Sequence, residues 1–305
     1  AHPDLAPLLN NLALVRKRQQ DYAGARELYE KALELRREHL GDEHPLVATS
    51  LDNLAILLFD RGDSDAAEPL YRQALEVRRK ALGVEHVAYA KSLINLASLE
   101  SRRGRFTAAV RLHRQALDIR RAKLGDEHPR VASSLLRLAE ALAAVGDLGQ
   151  SEAMFRQAVA IQRRLLGAEH PELARSLTGL GQVLTAAGPE DAAPERGAPE
   201  SGADLAEAEA LLREALAIRR RELGGEHWRT AETSSSLGAC LAAQGQRDEA
   251  EPLLRGGYRR LEEVLGSERR ETRRAAERLA ALAGRRGGVE RVGQAAGGLA
   301  PHSER

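Results

Sequence analysis

The stretch Leu40-Gly41-Asp42-Glu43-His44-Pro45 decides the fold, because the chain returns to it at a fixed interval. Leu82-Gly83-Val84-Glu85-His86, Leu124-Gly125-Asp126-Glu127-His128, Leu166-Gly167-Ala168-Glu169-His170 and Leu223-Gly224-Gly225-Glu226-His227 are further copies. His2, His44, His86, His128 and His170 stand 42 residues apart, and His227 follows after 57. A constant period of this length marks a stacked array in which each repeat leans only on its neighbours. The sequence therefore predicts an extended array rather than the two globular domains that 305 residues alone would suggest.

Upstream of the motif, Ala25, Leu28, Tyr29, Ala32, Leu33 and Leu35 recur at helical spacing, so a helix B runs to about Leu40 and Gly41 ends it. Farther upstream, Leu5, Leu8, Leu9, Leu12 and Val15 define a helix A from about Pro3 to Gln19, with Asp21 and Tyr22 at the turn. Downstream, Pro45 suits the first turn of the next helix, where its missing donor costs nothing. One repeat is thus an antiparallel helix pair, and the fold class is all-α. The repeats fall at about 1–41, 42–83, 84–125, 126–167, 168–224 and 226–266, followed by a capping helix over 268–283 with Leu279, Ala280 and Leu282 in register. About fifteen extra residues in the fifth repeat, 189–203, are rich in Pro, Gly, Ala and Glu and read as a disordered loop; the Gly-rich tail 284–305 reads as unstructured. Small residues recur where helices must approach closely, at Ala13, Ala55, Ala97, Ala139, Gly181 and Gly238 in helix A and at Ala32, Ala74, Ala116, Ala158 and Ala215 in helix B.

Forty-six basic and forty-five acidic side chains leave a net charge of +1, so no global field favours nucleic acid or an acidic membrane. The single cysteine, Cys240, precludes an internal disulfide and fits a reducing compartment. No run approaches the length of a membrane span and no signal peptide opens the chain, so a cytoplasmic location is expected. The first residue is not Met and lies near a repeat boundary, which suggests a segment of a longer polypeptide.

The wording Leu9-Asn10-Asn11-Leu12-Ala13, then Ala25, Leu28-Tyr29, Ala32-Leu33 and Leu40-Gly41, resembles the 42-residue tetratricopeptide repeat (TPR) of kinesin light chains and many bacterial proteins, over roughly residues 2–283. That resemblance implies a right-handed superhelical solenoid whose helix A residues line a concave groove able to hold extended peptides. It also implies that a recurring helix A asparagine contacts the peptide backbone. The matching residues here are Asn11, Asn53 and Asn95; the same place then holds Arg137, Gly179 and Ser236, so the ladder has three rungs. Val87 and Trp228 stand where the family has proline, and Gln20 where it has glycine.

An amide can donate and accept at once, which suits it to gripping a main chain. The alternative is that each asparagine only bonds a neighbouring helix. Lys91, Arg102 and Arg137 surround the third rung and form a candidate cationic patch for a carboxylate or an acidic peptide, offset by Asp52, Asp60 and Glu140. The pairs Arg36-Arg37, Arg78-Arg79, Arg120-Arg121 and Arg219-Arg220 lie late in helix B, where cations suit the helix dipole, and Glu34 with Arg37 and Glu76 with Lys80 can pair along the surface. The evenly spaced histidines are a whole repeat apart and cannot share one metal ion, which leaves helix-start packing as their role. No catalytic set, cofactor motif or metal set is recognisable. The sequence thus points to a non-catalytic interaction module for a protein or peptide. A sensor arm of a larger signalling ATPase or protein kinase is the alternative, and self-association through the first repeat is a further possibility.

Overall fold

A computed structural model describes residues 5–187 and 201–296, the side chains of 201–202 and 284–296 excepted. The described residues form helices joined by short turns, with no strand among them. In order these are α1 (Leu5–Arg18), α2 (Tyr22–Leu40), α3 (Pro45–Asp60), α4 (Ser64–Leu82), α5 (Val87–Arg102), α6 (Phe106–Leu124), α7 (Pro129–Val145), α8 (Leu148–Leu166), α9 (Pro171–Ala186), α10 (Ser201–Leu223), α11 (Trp228–Ala243), α12 (Arg247–Leu265) and α13 (Arg270–Ala296). The architecture is the all-α repeat solenoid that the period requires. It comprises two compact units, residues 1–147 and 148–305. Helices α1 to α7 lie in the first and α8 to α13 in the second, and inside each unit successive helices pack on one another.

Local chemistry sets the helix ends. His44, His86, His128, His170 and His227 are N-caps, each accepting at Nδ1 from the amide two residues on at 3.0–3.1 Å, which gives the periodic histidines their structural role. Asp21 and Asp63 cap α2 and α4 through the amides of Gly24 and Ala66. Gly41, at φ 78°, closes α2 with its amide on the Arg37 carbonyl. Gln20 adopts φ 64°, a left-handed conformation where the equivalent turns carry Gly62, Gly104 and Gly146.

The cores are built at the small positions. Ala13, Ala55, Ala97 and Ala139 are completely buried, and a Cβ at Gly181 would stand 2.6 Å from Leu212 Cγ. Helix α13 packs on α11 and α12, burying Ala275 and Leu282; Ala280, expected in its apolar register, is exposed instead. The helix continues to Ala296, so residues 284–296 of the expected unstructured tail are helical, because intrahelical hydrogen bonds do not require an apolar face. Helix α10 begins at Ser201 rather than Asp204. The rest of the predicted loop, 189–200, and residues 297–305 of the predicted tail lie outside the described residues. No described helix is long and apolar enough to cross a membrane.

Candidate functional site

Along α5 and α7, the later A helices of the first unit, most residues are buried except for one stripe and the helix ends. On α5 that stripe is Ala88, Lys91, Asn95, Ser98 and Arg102, and on α7 it includes Arg130, Ser133, Arg137 and Glu140. Its spacing of three and four residues follows from the helical period once the other faces are covered.

The three predicted asparagines lie in different environments. Asn11 is exposed on α1. Half-buried Asn53 donates from Nδ2 to Asn10 Oδ1 at 3.0 Å, so Asn10 rather than Asn11 is the asparagine of α1 that meets it. Asn95 is half-buried, and its Nδ2 is buried without a hydrogen-bond partner. An unmet buried donor costs about 1–3 kcal/mol.

Lys91 and Arg102 lie with Asn95 on the exposed stripe of α5. Lys91 is exposed and makes no ion pair with a described residue. Arg102 lies over the Phe59 ring at 3.5 Å, its guanidinium also donating to the Phe59 carbonyl. Arg137 is half-buried on α7, close enough to His113 and Arg120 to act on both electrostatically. Asp52 does not offset this patch. It is wholly buried and paired with Arg78 at 2.6 Å, because its place on α3 turns it toward α4. Asp60 pairs with Lys17.

In the second unit the equivalent rungs are filled. A Cβ on Gly179 would stand 2.3 Å from Cζ of Phe155, so the ring occupies the space an asparagine side chain would need. Ser236 is buried, accepts from Gln182 Nε2 at 2.8 Å and donates to the Glu232 carbonyl at 2.9 Å.

The first arginine of each late helix B pair has a role that the dipole argument missed. Arg36 donates to the Leu46 carbonyl and Ser50 Oγ, each at 2.9 Å, tying α2 to the first turns of α3. Arg78 reaches Asp52 and Ser92, Arg120 reaches the Arg130 carbonyl and Ser134 Oγ, and Arg219 reaches the Arg229 carbonyl and Thr233. The readable signal was a Ser or Thr fourteen residues after each arginine. Where the arginine is replaced by Gln162, both Gln162 Oε1 and Ser176 Oγ are buried without partners. Of the second arginines, Arg79 and Arg220 are exposed and Arg37 and Arg121 half-buried. Arg37 pairs with Asp42 rather than Glu34, and Lys80 with Glu43 rather than Glu76, because the inter-repeat turns bring those carboxylates over the helix ends.

Among the described residues, no group of three or more His, Cys, Asp or Glu could hold a metal ion. Cys240 is buried, its Sγ 3.4 Å from the Leu205 carbonyl, and burial pushes its thiol above the ordinary range.

Comparison with known proteins agrees with the all-α repeat fold. The tetratricopeptide-repeat family model matches residues 4–80, 53–122, 88–164, 130–194 and 203–263, and the chain belongs to that family, whose fold is a protein-interaction module. A structure of a putative kinesin light chain from Podosopora anserina with nearly identical TPR-like repeats is 28% identical, at a TM-score of 0.56 over 73% of this chain and 99% of that one. BtubC (BKLC) from P. vanneervenii is 23% identical, with a TM-score of 0.60 over 94% of this chain and 95% of that one. A STAND signal-transduction ATPase with a tetratricopeptide-repeat sensor, from Pyrococcus horikoshii, is 13% identical with a TM-score of 0.63, over 93% of this chain and 39% of that one. A search of curated proteins finds no match.

Proposed function

We propose that the protein is a non-catalytic interaction module that takes an extended segment of a partner protein along the helix A face of its first unit. The observation that carries this reading is the buried, unpartnered Nδ2 of Asn95, flanked on one exposed stripe by Lys91 and Arg102. Turning of the half-buried Asn95 side chain toward the stripe lets a backbone carbonyl of a bound segment satisfy that donor, while the cations favour acidic side chains beside it. Asn53 contributes less because Asn10 already holds its amide, and Asn11 forms the exposed end of the ladder. The test is capture of a partner by the purified chain, followed by Asn53→Ala with Asn95→Ala. Affinity falls about tenfold or more at unchanged helix content, consistent with one or two lost hydrogen bonds. Undiminished binding by the folded double variant rejects the proposal.

The Pyrococcus ATPase has a sensor of this repeat type. On that pattern a second reading makes the chain the regulatory arm of a larger signalling ATPase or kinase. A nucleotide-binding or kinase domain in the same gene product supports it, and a gene product without one removes it.

The face of α1 carrying Leu5, Leu8, Leu12 and Val15 is exposed, whereas Val47, Leu54 and Leu57, one repeat later on α3, are buried. Self-association through α1 follows from that contrast, and a monomer in light scattering at high concentration dismisses it.

A further inference from the structure

Each seam between a helix B and the helix A that follows it is closed by one late helix B residue and the residue fourteen places on. In four seams the closure is polar: Arg36, Arg78, Arg120 and Arg219 donate to the hydroxyls of Ser50, Ser92, Ser134 and Thr233. At α12–α13 it is apolar, with Leu261 and Ala275 wholly buried in one hydrophobic cluster. The α8–α9 seam is neither. It keeps the hydroxyl of Ser176 but has Gln162 in place of the arginine. Gln162 is 3% exposed and Ser176 0%, and both Gln162 Oε1 and Ser176 Oγ lack a hydrogen-bond partner.

Replacing both members of a buried polar pair by apolar groups is nearly neutral, as at Leu261 and Ala275, whereas losing one member leaves the other unmet at a cost. Folded proteins meet such groups with an ordered internal water where no protein group does so. We propose that the α8–α9 seam holds one structural water, bonded to Gln162 Oε1, Ser176 Oγ and the Glu172 main-chain carbonyl. The carbonyl enters by register: Arg36, Arg120 and Arg219 also donate to the carbonyl ten residues on, at Leu46, Arg130 and Arg229, and the counterpart here is Glu172. The donors balance, because the Ser176 hydroxyl donates to the water, whose two hydrogens go to the Gln162 amide oxygen and the Glu172 carbonyl. A glutamine amide ends about two bonds short of a guanidinium nitrogen, and an interposed water restores ~2.8 Å of reach. Solvent enters such a covered site during local opening of the fold, which a larger ligand cannot do. The water serves the cohesion of α8 with α9 and needs no partner protein, so it stands or falls apart from the peptide-binding reading.

Oxygen-17 magnetic relaxation dispersion on the full chain counts long-lived internal waters, and the difference between two variants isolates one site. Gln162→Arg loses one water relative to the natural chain, because the guanidinium takes its place. Arg36→Gln, which recreates the Gln162 arrangement beside Ser50, gains one. A crystal of the natural chain shows a water within hydrogen-bond distance of Gln162 Oε1, Ser176 Oγ and the Glu172 carbonyl. An unchanged count in a Gln162→Arg chain of native helix content overturns the site, as does a direct Gln162–Ser176 bond in the crystal. Should Gln162→Arg fail to fold, the Arg36→Gln count and the crystal decide: an added water supports the proposal, and an unchanged count or a dry seam overturns it.

Discussion

The helix A face of the first unit and that of the second are built on the same repeat and end in opposite conditions. On α5 the rung is Asn95, with an unmet donor beside exposed cations. On α9 it is Gly179 under the ring of Phe155, and on α11 it is Ser236, buried and doubly hydrogen-bonded. The residue one repeat behind each rung, at the same place in helix B, changes in step: Tyr71, His113, Phe155, Leu212. The second unit fills its rungs from within the chain, by packing at Gly179 and by hydrogen bonds at Ser236, whereas Asn95 and Arg137 of the first stay part-exposed. A repeat array can therefore vary the side chains it presents along its length without altering its fold.

Substitutions sharpen that contrast, beginning with the largest effect. Asp52→Ala in the first unit leaves Arg78 buried without its carboxylate and costs about 3–5 kcal/mol in urea unfolding. Next in size is an acid effect at His113 in the first unit. His113 has a folded-state midpoint near 4, against an ordinary value of 6.5, so its neutral form is favoured by folding. Its stabilising contribution is complete above pH 6.5 and declines as pH falls toward 4, because only the unfolded chain takes up the proton there, by a total on the order of 3 kcal/mol. His113→Phe, which copies Phe155, removes that slope from a pH series of unfolding curves.

Installing the missing rung breaks the comparison from the other side. Gly179→Asn overpacks against Phe155 and destabilises by about 1–3 kcal/mol, and Phe155→Leu, the residue found at Leu212, relieves much of the penalty in thermal melts of the double variant. The smallest effect belongs to the first turn. Gln20→Gly removes a left-handed side-chain conformation and stabilises by about 1 kcal/mol, read from the same melts.

Much of the fold was legible because its signals are local. Gly41 and Pro45 punctuate helix ends, and the Leu and Ala spacing of α2 matches the buried Ala25, Tyr29, Ala32 and Leu33. The site was less legible because it depends on which way neighbouring repeats turn their side chains. Asp52 read as a surface charge and is buried; Arg36 and Arg78 read as dipole partners and are interface ties. The gap at Gln162 and the closure of Gly179 by Phe155 need residues of adjacent helices placed together, which a pattern within one helix does not supply.

The most direct test is a footprint. Amide hydrogen exchange of the chain with and without a captured partner fragment is predicted to show new protection along α3, α5 and α7 of the first unit, centred on the turn containing Asn95, with α9 and α11 unchanged. Protection confined to the B helices, or centred on α9 and α11, would contradict the account.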